Sequence, residues 1–316
     1  MKFRQKLDHL NGNHVHLNEK LNHLNEKLNY LNEKLERIER YALATAQRFA
    51  INCGQGEILI RTAVGYVLVD SGDHALISAL VENQELEPGL RVFLEKTILP
   101  GFRVVDVGAN IGMHTITMAR SLRGNGVVYS FEPMPRTFEL LNTNIRINGL
   151  SSLVILHPTA LSDYNGNNIL YLGCTSGHHS LFPLDDLSDP ANDSIEVHVG
   201  TLDYSLANVQ EIDLIKIDAE GSELDVISGG AEILHRSQNI LVVVEFGLSH
   251  LLRAGHSPMH WFSQFETLTL SHRVINNFTG AVENWTMEKI LEAESVNLVF
   301  GRTGSKIWNK ISAQSS

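Results

Sequence analysis

Cysteine is scarce in this chain of 316 residues, which contains only Cys53 and Cys174. Two cysteines so far apart match neither the ligand spacing of a zinc site nor a disulfide framework. Reduced thiols and a cytoplasmic location are therefore expected. A secretory leader is not expected either, because the basic N-terminus is not followed by an apolar segment.

Long apolar runs and basic patches are also missing. No run approaches the roughly 20 residues that a membrane-spanning helix needs, so we expect no membrane span. The formal net charge is −11, and such a chain repels phosphates, so no nucleic-acid partner is expected. Hydrophobic residues make up 43% of the chain and charged residues 19%, which indicates a folded protein with a substantial core.

What the chain does have, near its start, is a tandem heptad repeat in which LNEKLNH, LNEKLNY and LNEKLER follow one another. Its apolar positions are Leu17, Leu21, Leu24, Leu28, Leu31, Leu35 and Ile38. Spacings that alternate between four and three predict a coiled coil over residues 1–46. With Leu21 at heptad position a, the e positions are Asn18, Asn25 and Asn32, and the g positions are Lys20, Lys27 and Lys34. We predict a homo-oligomer held by this segment, with strand number and orientation left open. A helical extension that docks on its own domain is the alternative.

After a connecting region, residues 47–100, that contains a predicted hairpin, residues 101–316 alternate short apolar runs with helical patterns. The predicted strands are 104–107, 127–131, 153–156, 214–217 and 240–244, with an antiparallel edge pair at 273–275 and 296–300. Nearly continuous apolar runs are typical of strands that are covered on both faces. Their alternation with helices predicts an α/β fold with a doubly wound, mostly parallel, seven-stranded sheet of the Rossmann-like class. The segment between Gly173 and Ser194 is predicted to be a long loop of functional importance.

A glycine-containing turn follows the first strand of this predicted sheet. It has the sequence Asp106-Val-Gly108-Ala-Asn110-Ile-Gly112, and a helix is expected to begin near Met113. Gly108 permits a tight turn, and Gly112 permits close approach of the backbone to a ligand. The amino end of the helix offers free N–H groups that suit a carboxylate or a phosphate. Taken alone, this turn is only a moderately specific indication of which ligand binds.

An acidic residue at the end of the second strand narrows the choice of ligand. Glu132 can accept hydrogen bonds from both hydroxyls of a ribose, so an adenosine-containing ligand is predicted. Asn110 stands where dinucleotide-binding loops have their second glycine, and its side chain would crowd a pyrophosphate. Asp106 places a negative charge beneath the loop, which disfavours phosphates and suits an α-ammonium group. These features favour S-adenosylmethionine over NAD(P).

Several ordered motifs extend this pattern. They are Asp-Val-Gly-Ala-Asn-Ile-Gly-x-His-Thr at 106–115, Phe-Glu-Pro-x-Pro at 131–135, Leu-Asn-Thr-Asn at 141–144 with Asn148-Gly149, Ala-Leu-Ser-Asp at 160–163, Thr-Leu-Asp at 201–203 and Lys-Ile-Asp-Ala-Glu-Gly at 216–221. Together they resemble the FkbM-type methyltransferases, over roughly residues 55 to 300. Ala219 stands where that family often has Val. The loop Gly177-His-His-Ser-Leu181 resembles the family's small-residue loop before a Ser-Leu pair.

The resemblance implies S-adenosylmethionine as cofactor and a sugar, glycan or related small-metabolite hydroxyl as acceptor. It implies that the cofactor is contacted by Asp106, Gly108, Asn110, Gly112 and Glu132. Pro133 and Ala160, which belong to two of the same motifs, are assigned to the cofactor site as well. The heptad segment lies outside the resemblance.

Three acids are expected at the carboxyl ends of the later strands, beside the methyl group to be transferred. They are Asp218, Glu220 and Glu245. Asp218 or Glu220 could act as the general base on the acceptor hydroxyl, or they could be held in an ion pair, for instance with Lys216. By analogy with catechol O-methyltransferases, Asp218 and Glu245 could instead hold a divalent cation such as Mg²⁺. We favour the base, since no third metal ligand is evident.

Histidines near the predicted pocket are further candidates for the base, because an ordinary histidine pKa lies near neutrality. His114 follows the glycine turn, and His178 and His179 lie in the long loop. His114 could instead face a neighbouring hairpin. Two other functions remain open at this point: an NAD(P)-dependent oxidoreductase, and a non-catalytic cofactor-binding scaffold that assembles through its heptads.

Overall fold

The computed structural model describes residues 20–40, 50–173, 175–183 and 194–313. The chain divides into two units, residues 1–49 and 50–316. In the first unit, α1 spans residues 20–40, which confirms a helix over that part of the heptad repeat. The repeat's earlier positions, Leu17 and Asn18 among them, lie outside the described residues. Association of α1 with a partner stays a prediction.

The second unit contains the remaining elements. Its strands are β1 (Ala50–Gly54), β2 (Glu57–Thr62), β3 (Gly65–Asp70), β4 (Arg103–Val107), β5 (Val127–Phe131), β6 (Val154–His157), β7 (Ala160–Leu161), β8 (Gly166–Tyr171), β9 (Ser194–Gly200), β10 (Leu214–Ile217), β11 (Leu241–Gly247), β12 (Leu270–Ile275), β13 (Val282–Glu283) and β14 (Ser295–Arg302). Its helices are α2 (His74–Asn83), α3 (Pro88–Thr97), α4 (Met113–Ser121), α5 (Pro135–Ile147), α6 (Leu202–Ser205), α7 (Glu223–Gly229), α8 (Ala231–Arg236), α9 (Leu248–Arg253), α10 (Pro258–Thr267), α11 (Met287–Glu292) and α12 (Lys306–Ser312).

The central sheet has the strand order β13-β12-β14-β11-β10-β4-β5-β6. β11, β10, β4, β5 and β6 are mutually parallel, whereas β14 and β12 form the predicted antiparallel edge. The mixed, mostly parallel α/β sheet is therefore confirmed. The strand number was wrong: the described residues form eight strands rather than seven, because the two-residue β13 pairs with β12 at the edge.

Side chains alternate across the sheet and build a core on each face. On β11, Leu241 and Val243 belong to one core, and Val242 and Val244 belong to the other. Helices α3, α4, α5 and α12 cover the first face, and α6 to α11 cover the second. Such double cover explains why these strands read as continuous apolar runs in the sequence.

Two small sheets flank the central one in the described structure. The antiparallel sheet β1-β2-β3 contains the hairpin predicted from the sequence. Asn144 of α5 holds it in place, since its side chain accepts from Leu68 N at 2.6 Å and donates to Leu68 O at 3.0 Å. The same Nδ2 donates to Ile111 O at 2.9 Å. One buried side chain thus ties the hairpin to the glycine turn.

The second flanking sheet, β7-β9-β8, was not predicted, because β7 has only two residues and β8 follows a turn rich in Asn and Gly. It stands beside the carboxyl ends of the parallel strands and leads into residues 172–183. Among the described helices, none combines the length and apolarity required to cross a bilayer.

Candidate active site

The glycine turn between β4 and α4 is held against the two neighbouring strands. Gly108 N and Ala109 N donate to Phe131 O at the end of β5, at 3.1 and 3.0 Å. Gly108 has φ +70°, and a Cβ there would lie 1.8 Å from Asp218 O, after β10. Glycine is therefore required at 108 both by backbone conformation and by the close approach of β10.

Gly112 is also required by the packing of α4 against α5. It is the N-cap of α4 with φ +96°, and a Cβ there would lie 2.6 Å from Leu141 Cδ1 of α5. The space that glycine leaves at 112 admits the Leu141 side chain, and the approach of this backbone to a ligand stays a prediction. Asn110, with φ +49°, takes the left-handed conformation that asparagine tolerates better than most residues.

Glu132 lies directly after β5 and is 6% exposed. Its Oε2 accepts from Asn110 N and its Oε1 accepts from Met134 N, both at 2.9 Å. Burial raises the pKa of Glu132 to about 7, against the effect of these two hydrogen bonds. The carboxyl therefore holds the glycine turn and also lies in the wall of the adjoining pocket.

Asp106 is fully buried at the base of this turn. Its Oδ2 accepts from Thr115 Oγ1 at 2.5 Å, and its Oδ1 lies 3.5 Å from Lys216 Nζ. Lys216 Nζ also donates to Asp218 Oδ2 at 3.2 Å and to Gly108 O at 3.3 Å. Burial alone would lower the pKa of Lys216, but Asp218, Asp106 and Glu87 together raise it above its ordinary value. The negative charge expected beneath the loop is therefore compensated by Lys216.

A cavity opens at the carboxyl ends of β4, β5 and β10. Of the predicted cofactor residues, its wall includes Gly108, Asn110, Glu132, Pro133 and Ala160. Asp106 and Gly112 are not among the lining residues. Of the predicted catalytic residues, its wall includes Asp218, Glu220 and His179.

Glu220 is held in a left-handed conformation, with φ +50°. Its Oε2 lies 3.2 Å from Arg253 Nη2 and 3.3 Å from His250 Nε2, both on α9. Burial, followed by the charge of Asp218, raises the pKa of Glu220 to about 8, although Arg253 opposes this shift. A carboxyl with such a pKa is poised to exchange a proton near neutral pH.

Glu245 lies beside Asp218, and the pair does not suit a metal ion. The charge of Asp218, together with burial, raises the pKa of Glu245 to about 9, so Glu245 carries a proton at neutral pH. Ser295 Oγ donates to Glu245 Oε1, and Lys216 already supplies a cation to Asp218. Among the described residues, no group of three or more His, Cys, Asp or Glu side chains could hold a metal ion. The predicted Mg²⁺ site is thus unsupported.

His114 lies outside the cavity wall and bonds to Glu87 at the start of α3. Its Nε2 lies 2.8 Å from Glu87 Oε2, and Asn297 Nδ2 donates to Glu87 Oε1 at 2.6 Å. Burial would raise the pKa of Glu87, but its bonds to His114 and Asn297 lower it to about 2. Because an ionised carboxylate only accepts, His114 Nε2 carries the hydrogen and Nδ1 is the basic nitrogen.

His179 reaches the cavity from the long loop, whose residues 175–183 are described and contain one 3-10 turn, Ser176–His178. His179 Nδ1 accepts from Gly173 N at 3.1 Å, and burial lowers the pKa of His179. In the neutral ring the hydrogen therefore lies on Nε2, which makes His179 a donor to the cavity rather than a base. His178 instead bonds Thr175 Oγ1, at 2.5 Å.

The loop itself is fastened at two points. Ser180 Oγ donates to Glu220 O at 2.7 Å, and Ser176 N donates to Asp73 Oδ2 at 2.9 Å. These bonds hold the loop beside the cavity, whose wall it shares with Glu132. Cys174 and residues 184–193 lie outside the described residues.

Sequence reasoning did not identify Glu87, Asn297 or Arg253, and it named Lys216 only as an ion-pair partner. Lys216 could have been found, because a charged residue interrupts an otherwise apolar strand, Leu-Ile-Lys-Ile. Glu87 and Asn297 had no comparable signal. They are distant in sequence and meet only because α3 packs against one face of the sheet.

Comparisons with known proteins identify the family of the chain. A family model described as the methyltransferase FkbM domain matches residues 106–273. The chain is similar to "Methyltransferase 1" of Beauveria bassiana, with 28% identity over 143 residues, 40% of this chain and 57% of the relative. It is also similar to the 2-O-methyltransferase NoeI of Sinorhizobium fredii, with 29% identity over 151 residues, 43% of this chain and 60% of the relative.

The aligned regions therefore span about three fifths of each curated relative. A solved structure of methyltransferase FkbM from Methylobacillus flagellatus KT is 13% identical and covers 64% of this chain and 44% of that chain, at a TM-score of 0.43. The family model spans the glycine turn, Glu132 and the Lys216–Glu220 segment, and the chain belongs to the FkbM family of methyltransferases.

Proposed function

We propose that this methyltransferase uses S-adenosylmethionine and methylates a hydroxyl group of a sugar, glycan or related small metabolite. The observation that carries the proposal is the position of Glu132, a carboxyl at the end of β5 in the cavity wall, opposite the glycine turn. A carboxylate in this position is suited to the two hydroxyls of a ribose. Family membership favours methyl transfer over the alternative of a nicotinamide-dependent oxidoreductase.

The charges around the cavity also fit this cofactor. Asp218, Glu220 and Glu132 all lie in the wall. Burial raises the pKa of Glu132 to about 7 and that of Glu220 to about 8, so both are partly protonated near neutral pH. A bound cation shifts both groups toward the carboxylate, whereas a bound phosphate keeps them protonated. The cofactor contains a sulfonium and an α-ammonium, has no phosphate, and supplies an electrophilic methyl group when bound. Asp106 is paired to Lys216, so the groups that face a bound cation are the acids of the wall.

Within this proposal, Glu220 is the base that takes the proton of the acceptor hydroxyl. It lies in the cavity wall, and its raised pKa, about 8, matches the working range of a general base. Asp218, held by Lys216 and the protonated Glu245, positions the acceptor by accepting a hydrogen bond. His179, with hydrogen on Nε2, donates to the bound molecules. His114 is not among the residues of the cavity wall, and its bond to Glu87 orients its ring.

The same acids restrict the acceptor. Neutral hydroxyls can donate hydrogen bonds to carboxylates, whereas phosphorylated or carboxylated acceptors would bring like charges together. We therefore expect an uncharged polyol rather than a nucleotide sugar or sugar phosphate. The 2-O-methyltransferase among the curated relatives supports oxygen as the methylated atom.

Calorimetry of cofactor binding tests the central claim. The full chain is expected to bind S-adenosylmethionine and not NAD or NADP, and Glu132→Ala is expected to weaken binding at least tenfold, by about 1.4 kcal/mol or more. Glu139→Ala, an exposed glutamate on the following helix, is the matched control and should bind like the wild type. Tight NAD(P) binding, or unaltered affinity in Glu132→Ala, would refute the cofactor assignment.

Mass spectrometry with candidate acceptors tests the substrate class. Incubation with S-adenosylmethionine should add one methyl group to neutral oligosaccharides and none to their phosphorylated counterparts. If the cofactor binds but no acceptor is methylated in a broad screen, the non-catalytic scaffold becomes the better account. Preferential methylation of phosphorylated sugars would contradict the charge argument.

A further inference from the structure

Helix α1 exposes a narrow apolar stripe. Six apolar side chains on it are each 55–62% exposed: Leu21, Leu24, Leu28, Leu31, Leu35 and Ile38. Their spacing puts all six on heptad positions a and d. A stripe this narrow is the seam of a coiled coil, since helices that pack on a globular core carry a wider apolar face.

We propose that α1 packs against α1 of a second copy of this chain, with the two helices parallel. The orientation follows from the residues that flank the seam. Because the helix continues to residue 40, Glu39 falls at an e position, one heptad after Asn32. In a parallel pair, each g residue faces the e residue of the next heptad on the other helix. Lys34 then faces Glu39 of the second copy, and this ion pair occurs twice in a dimer.

The antiparallel arrangement has the opposite electrostatics. When the six seam residues of one helix are aligned with those of the other in reverse order, residue 21 lies opposite residue 38, and g positions face g positions. Lys27 then faces Lys34 of the second copy, and this repulsive pair occurs twice in a dimer. Two attractive pairs are thereby exchanged for two repulsive ones. The seam residues themselves do not discriminate, because leucine occupies both a and d. Orientation is thus determined by Lys27, Lys34 and Glu39.

A membrane surface is a less suitable occupant for the stripe. Helices that lie on membranes combine a broad apolar face with a strongly basic polar face. Residues 20–40 contain five basic and four acidic residues, so the helix is almost neutral. Asn25 and Asn32, at the e positions, border the seam, where a membrane-bound helix would carry apolar residues.

Charge reversal at Lys34 separates the two orientations by the sign of its effect. In the parallel pair, Lys34→Glu places two glutamates together, and the dissociation constant of the full-length assembly should increase about tenfold. In the antiparallel pair, the same change would create attraction to Lys27 and tighten the assembly. Sedimentation equilibrium of the full chain at low salt measures this. Glu26→Lys, at the outward-facing f position of the same helix, is the control and should change little.

Cysteine cross-linking gives a second measurement on a background of Cys53→Ser and Cys174→Ser. Leu24→Cys and Leu35→Cys should each form a disulfide-linked dimer alone if the helices are parallel. Antiparallel helices would cross-link only when the two variants are mixed, since residues 24 and 35 are then opposite each other. Cross-linking only in the mixture would overturn the parallel arrangement. A wild-type chain that stays monomeric at micromolar concentration would overturn the dimer. Co-sedimentation with anionic vesicles that depends on an intact seam would show that the stripe binds membranes instead.

Discussion

Lys216 and Asp106 are opposite each other in the register of β10 and β4, and Lys216 Nζ lies 3.5 Å from Asp106 Oδ1. Both side chains are buried. The same ammonium binds Asp218 and the carbonyl of Gly108. One lysine therefore connects the glycine turn, which holds the cofactor in our proposal, with the acid that positions the acceptor.

Removing the positive charge of Lys216 should lower the free energy of unfolding. Lys216→Met leaves Asp106 buried without a counter-charge, and losses of about 3–5 kcal/mol are typical when one partner of a buried ion pair is removed. Urea unfolding of the full chain measures the free energy of unfolding. The double variant Asp106→Asn/Lys216→Met should recover a large part of the loss, because the unpaired charge is gone. A single variant as stable as exposed Lys310→Met would show that the pair is unimportant.

Gly108 and Gly149 allow backbone strain to be separated from steric conflict. Their φ values are +70° and +71°, but a Cβ at 108 would lie 1.8 Å from Asp218 O, whereas no described atom lies within 4 Å of one at 149. Gly149→Ala should lower the free energy of unfolding by about 1–2 kcal/mol, because alanine is strained in the left-handed conformation. Gly108→Ala should cost clearly more and should also abolish cofactor binding. Equal losses of stability in the two variants would contradict the close approach of β10 to the turn.

Glu245 should make the protein less stable as pH rises. Its pKa is raised from 4.5 to about 9 by Asp218 and by burial, so the folded state holds a proton that the unfolded state has released. Its contribution is thus fully present below pH 4.5 and is lost progressively up to about pH 9. Glu245→Gln keeps the shape without the ionisation. At pH 9 it should melt above the wild type, by about 2–4 °C for each kcal/mol regained.

At pH 5 the two proteins should have the same melting temperature, since Glu245 is then protonated in the folded state. Glu292→Gln, an exposed glutamate on α11, is the control and should follow the wild type at both pH values. A Glu245→Gln chain that melts below the wild type at pH 9 would show that its carboxylate stabilises the fold.

Glu220 predicts the pH dependence of turnover. A base must be deprotonated, and its pKa is about 8, so kcat/KM should increase with pH up to about 8 and then level off. Glu220→Gln should remove this rising limb and lower kcat/KM by about 10²–10⁴-fold. Asp225→Asn, on α7 outside the cavity wall, should retain the limb. If the limb survives in Glu220→Gln and disappears in His114→Gln, the base is His114.

Local sequence patterns account for much of what was predicted correctly. Apolar runs placed the parallel strands because burial on both faces of a sheet requires apolar residues throughout. The turn from Asp106 to Gly112 and the acid at 132 were recognisable because each is positioned by the strand it follows. The heptads predicted α1, since a single helix displays its own periodicity.

Only the tertiary structure decided the charges of the site. Nothing local indicates that Glu87, Asn297 and His114 meet, or that Lys216 neutralises Asp106, because these contacts join distant segments across packed elements. The protonation of Glu220 and Glu245 likewise depends on burial and on the distance to Asp218, which only the folded chain determines. Strand positions follow from short-range patterns of hydrophobicity, whereas proton affinities follow from the field of all surrounding groups.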